Sequence, residues 1–148
     1  MRISAKGRYS LSAMIYLGCC EENQKLIPLF KISEDLGISK IFLEQAFSLL
    51  KKAGLVTAVK GSSGGYRLSR DSHDISVYDV LQAIEVPLFE KTEPTLNEQS
   101  ATIEKSMDEY VWQPLDAQIQ KMLKSITLYT LSEQTIQNRN NQGFMYYI

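Results

Sequence analysis

Histidine occurs only as His73, and cysteine only as the adjacent pair Cys19 and Cys20. So few donors and nucleophiles leave no Ser/His/Asp or Cys/His grouping, and no GxxxxGK[ST] phosphate loop is present, so an enzyme is not expected. Neighbouring side chains on a helix project about 100° apart, which strains a disulfide between them, and two thiols make neither a disulfide framework nor a metal set. No cofactor or metal is expected from these residues. Runs of 18 or more apolar residues are also missing, and the N-terminus lacks the apolar stretch and cleavage site of a signal peptide. The expectation is a cytosolic chain with no membrane partner.

What the sequence does hold is unevenly distributed. The formal charge of −1 conceals two halves of opposite sign. Residues 1–70 carry eleven Lys/Arg against five Asp/Glu, a net of +6, and residues 71–148 carry five against twelve, a net of −7. A basic half of this size matches a nucleic-acid-binding module, with ordinary solvated surface charge as the alternative.

Apolar spacing orders the basic half. Tyr9, Ala13, Met14 and Leu17 define a first amphipathic helix. A short second helix starts at Pro28, carries Leu29, Ile32 and Leu36 on one side and stops at Gly37. In the third, Ser39 is the expected N-cap, Leu43, Phe47 and Leu50 face inward, and Gly54 closes the end. Two short helices joined by a Gly-containing turn form a helix-turn-helix. The period then changes: LVTAV, the turn KGSSGG and YRL make a β-hairpin over residues 55–69. Helix, turn, helix and Gly-rich hairpin is the order of a winged helix. A further helix begins at Ser76, whose partner Asp79 completes a capping box.

The fold class is therefore mainly α with a small β-hairpin wing: a winged helix-turn-helix over residues 1–85, a connector over 86–99, and a dimerisation helix with a tail over 100–148. In that last segment Ile103, Met107, Tyr110, Val111, Leu115, Ile119, Met122 and Ile126 recur at helical spacing, with Pro114 expected to kink or break the helix. Such a stripe needs a covering surface, either a second copy in a homodimer or the chain's own winged helix. The ending GFMYYI follows a polar stretch, read as a tether. It would either pack over the dimer or present Tyr146, Tyr147 and Ile148 to a partner's pocket.

With the third helix in a major groove, Ser39, Lys40, Ile41, Glu44 and Gln45 would reach base edges, and Ser48, Lys51 and Lys52 would follow along the backbone. Gln45 suits adenine, Glu44 a cytosine amino group, and the lysines phosphate. In the wing, Lys60 would enter a minor groove, Ser62 and Ser63 would donate to phosphate, and Gly64 would permit close approach, with Tyr66 in the same DNA-binding set. The partner is double-stranded DNA, as a palindromic operator for a dimer.

MRISAKGRYSLSAM, FLEQAFSLLKKAGLV and KGSSGGYRLSR together resemble the Rrf-two family of bacterial winged-helix regulators. The resemblance implies a dimeric transcription factor whose long C-terminal helices cross between subunits. It also brings Arg2, Lys6 and Arg8 into the DNA-binding set and matches Glu44 and Gln45 to the family's LEQ. Lys60 stands where members often have Arg, and Ser62 and Ser63 replace a common Pro-Gly. Members that sense iron–sulfur chemistry carry three cysteines between the helix after the wing and the long helix, a stretch that holds none here, residues 86–110. The ITLYTLSEQ segment and the ending FMYYI resemble the cluster-free, CymR-like branch, which represses cysteine metabolism. That resemblance implies cysteine synthase as a partner of the tail. The alternative function is a thiol-based redox regulator using Cys19 or Cys20, although Glu21 and Glu22 beside them would raise the thiol pKa.

Overall fold

Residues 2–146 are described by the computed structural model. Helix α1, Ala5–Cys19, is started by Ser4, whose side chain accepts from the Gly7 N–H. It buries Ala13, Met14 and Leu17. Helix α2, Leu29–Leu36, begins after Pro28 and ends where Gly37 turns left-handed at φ 63°. Helix α3, Lys40–Lys52, follows; Ser39 holds its N-cap position but makes no capping hydrogen bond through its side chain. Leu43, Phe47 and Leu50 are wholly buried, as their spacing predicts.

Strand β1, Val56–Val59, pairs antiparallel with β2, Gly65–Leu68, Val56 opposite Leu68 and Val59 opposite Gly65. Ile27 and Tyr66 exchange both backbone hydrogen bonds, at 2.9 and 2.8 Å, and so tie the hairpin to the loop before α2. The turn is built by close backbone approach. A Cβ on Gly64 would lie 2.1 Å from the Val59 carbonyl oxygen, and Gly65, at φ 154°, leaves no room beside the Ile27 carbonyl.

Ser76 and Asp79 close a full capping box on α4, Val77–Ile84. The connector is partly helical rather than irregular: α5 covers Val86–Phe89, and Phe89 meets Tyr78 edge to face at 5.0 Å. The stretch expected as one long helix comprises α6, Ala101–Met107, a π-helical turn, Asp108–Trp112, and α7, Gln113–Ser125. The cause is Pro114, which has no N–H to return to Tyr110 and whose ring crowds that carbonyl. The ladder widens there, and the Gln113 N–H bonds to Asp108, five residues back.

The C-terminal segment corrects the expectation most. Residues 132–142, read as a polar tether, lie within helix α8, Leu128–Tyr146. Its first residue, Leu128, is fully buried in the same core as Phe47, Met14, Ile32 and Ile75. Two backbone bonds stitch it in place, Leu128 N–H to Ile75 and Val77 N–H to Ile126, both 2.9 Å. Ser132 then donates to the Ile15 carbonyl at 3.3 Å. Gly18 makes that approach possible, since a Cβ there would stand 2.2 Å from the Ser132 hydroxyl. The first part of the tail is thus part of the winged-helix body. Tyr146 ends α8, and Tyr147 and Ile148 lie outside the described residues.

Candidate nucleic-acid interface

Helix α3 is held from behind and open in front. Its buried face meets α1, α2 and α4, while Ser39, Lys40, Ile41, Glu44, Gln45, Ser48, Lys51 and Lys52 are all exposed. At the wing tip Lys60, Ser62 and Ser63 are exposed and Gly64 is half-buried. Arg2 and Arg8 are exposed at the start of α1, with Lys6 half-buried between them. Among the described residues none of these cations joins an ion pair. Their charge is left for a ligand, and several such cations on one module make an electrostatic footprint for a polyanion.

Tyr66 is half-buried beside them, and its ring lies tilted against Phe47 with centroids 4.3 Å apart, which ties the wing to α3. Two other basic residues of the region are also spent on structure. Arg67 donates to the Gln24 carbonyl at 3.3 Å, and Arg70 donates to the carbonyls of Asp74 at 3.0 Å and Gly54 at 3.4 Å.

The start of α1 is fixed by a residue that sequence reasoning missed. One oxygen of the Glu85 carboxylate accepts from both the backbone N–H and the hydroxyl of Ser4, at 2.8 and 2.5 Å. The same oxygen lies where a Cβ on Gly7 would come within 2.2 Å, so the buried Gly7 admits the carboxylate to the first turn. A carboxylate at a helix N-terminus is favoured by the dipole and by the free N–H groups. Glu85 thereby sets the Arg2, Lys6 and Arg8 segment against the end of α4. The pairing spans 81 residues, and no local pattern in the sequence announces it.

The expected dimerisation stripe divides in two. Ile119 and Ile126 pack into a small cluster with Val77, Leu81 and Leu123, so they serve the protomer's own interior. Ile103, Tyr110, Val111, Leu115 and Met122 remain exposed, Tyr110 at 80%, and Met107 is half-buried.

A profile of the Rrf2 family, described as an iron-dependent transcriptional regulator, matches residues 3–134. The chain belongs to the Rrf2 family. Among curated relatives of this family, the HTH-type transcriptional regulator IscR of Vibrio cholerae is 40% identical over 129 residues, spanning 86% of this chain and 73% of that protein. Among solved structures, CymR, the global cysteine regulator of B. subtilis, superposes with a TM-score of 0.73 at 30% identity, covering 90% of this chain and 98% of that one. IscR of T. potens gives the same TM-score at 31% identity over 99% and 97% of the two chains. Like these Rrf2 proteins, the chain is a DNA-binding transcriptional regulator and not an enzyme. No described helix is long and apolar enough to cross a membrane.

Proposed function

We propose that the chain is a homodimeric repressor of cysteine or sulfur genes that works without an iron–sulfur cluster. The observation that carries the cluster-free part is the donor set. Residues 90–97 run beside α6 and α7 and border a groove of about 960 Å³ whose lining includes Phe89, Leu96, Glu104, Asp108, Trp112 and Asp116, with no cysteine or histidine. A cluster needs thiolates or a close substitute, so these residues do not fit one. Among the described residues no group of three or more His, Cys, Asp or Glu side chains could hold a metal. The two thiols lie elsewhere, at the end of α1, where the Cys19 sulfur is 3.8 Å from the Ser132 carbonyl.

In this reading two copies bury the open stripe of Ile103, Tyr110, Val111, Leu115 and Met122 against each other. Helix α3 then enters the major groove through Ser39, Lys40, Ile41, Glu44 and Gln45. Lys51, Lys52, Arg2, Lys6 and Arg8 meet phosphate, and Lys60, Ser62 and Ser63 follow the backbone into the minor groove. A thiol-based redox signal finds less support, because burial, and then the neighbouring Cys19, push the Cys20 thiol up, against the lowered pKa that a reactive thiol needs. Cysteine synthase is the proposed partner of the last residues, and a pull-down with and without residues 145–148 tests that part.

The test of the main reading is enrichment of genomic fragments by the purified chain, followed by binding measurements with protein reconstituted with iron and sulfide. The reading expects enriched fragments upstream of cysteine or sulfur genes, and a protein that stays colourless and binds DNA unchanged. A brown protein whose affinity moves on reconstitution would overturn the cluster-free part, and enrichment at unrelated genes would overturn the sulfur part.

A further inference from the structure

We propose that Ile41 sets operator specificity by reading the C5-methyl group of a thymine in each half-site. The proposal rests on the docking of α3 described above and goes beyond it by naming the base feature that is read. Ile41 is the second residue of α3, in the turn that reaches base edges when such a helix enters a major groove. It is 67% exposed, the most exposed large aliphatic side chain among the described residues. Ile41 projects away from the face carrying Leu43, Phe47 and Leu50; the next residue, Phe42, is also exposed, at 47%, but its ring is met edge to face by Tyr9 at 5.8 Å.

Its neighbours on the open face, Ser39, Lys40, Glu44 and Gln45, can all form hydrogen bonds, and Ile41 cannot. In the major groove the one apolar feature of any base edge is the thymine methyl. Opposite any other base, Ile41 would cover polar groups without replacing their hydrogen bonds to water, so the same side chain rejects the wrong base. Being β-branched, it has few rotamers to lose on contact. The net charge of +6 on residues 1–70, with Lys40 adjacent, favours DNA over an apolar protein surface as the occupant of this face.

The experiment uses the full chain. A duplex is selected from a random pool, and each thymine in it is replaced singly by deoxyuridine, which keeps base pairing and removes only the methyl group. Affinity is read by fluorescence anisotropy for wild type, Ile41→Ala and the control Glu44→Ala. At one thymine per half-site, replacement should weaken wild type about fourfold. The loss should persist in Glu44→Ala and vanish in Ile41→Ala, whose exposed site leaves folding intact. Indifference of wild type to every replacement, or an equal loss in Ile41→Ala, would overturn the role of Ile41 while leaving the docking of α3 standing. If no sequence is enriched at all, both fall together.

Discussion

Helix α3 and the pair α6–α7 carry apolar stripes of the same helical spacing, yet they end in opposite states. Leu43, Phe47 and Leu50 of α3 are covered completely by α1, α2, α4 and the wing. On α6–α7 only Leu123 is buried, while Tyr110, Val111, Leu115 and Met122 stay open. Periodicity therefore identifies an amphipathic helix without saying what covers it. Where the chain supplies neighbours on several sides the stripe becomes core; where it supplies a neighbour on one side only, the rest of the stripe is available to another molecule.

Substitutions should separate the two regions by size and by kind. Phe47→Ala should cost about 3–5 kcal/mol in urea unfolding, and Leu128→Ala about 2–5 kcal/mol, because both leave cavities in one core. A Leu128→Ala loss within a few tenths of a kcal/mol would mean that α8 is peripheral and that the C-terminal half stands apart. On the open stripe, Leu115→Glu should instead leave the protomer folded, shift sedimentation from dimer to monomer and weaken binding to a palindromic operator at least about tenfold, through loss of linked half-sites.

A smaller effect is expected at the Glu85 contact. Gly7→Ala should destabilise by about 1–3 kcal/mol through overpacking against the carboxylate. In the Gly7→Ala, Glu85→Ala double mutant the two losses should fall short of additive, which a cycle on urea midpoints reads directly. The smallest effect is expected at Asp35, exposed beside Lys31 at 2.9 Å and Tyr16 at 2.5 Å. The Lys31 hydrogen bond first, then that of Tyr16, holds its carboxyl below the usual range. A depressed carboxylate contributes stability above its unfolded pKa and loses it as pH falls through the folded one. The difference between wild type and Asp35→Asn should therefore be flat near neutral pH and shrink below about pH 4.

The sequence was readable wherever a local rule decided the outcome. Gly37 at φ 63°, the Ser76–Asp79 box and the hairpin turn each rest on residues a few positions apart. The failures share a long reach in the chain. Residues 132–142 looked like a tether because Ile136 is their one strongly apolar residue, and only a few residues of α8, Leu128 and Ser132 among them, turn inward. Glu85 had no signature, since its partner Ser4 lies at the other end of the winged helix. On the candidate interface, the exposure of the outer residues of α3 follows from spacing, because the inward stripe fixes what remains outside.

The central claim is that the cations left unpaired on the basic half are there for DNA. The most direct measurement is the affinity of the full chain for its selected duplex across a range of salt concentrations. Each phosphate neutralised contributes about −0.9 to the slope of log K against log salt, so several Lys and Arg contacts should give a steep line, shallower by about two in Lys51→Ala/Lys52→Ala. A shallow line, or a slope unchanged in that double variant, would contradict the account.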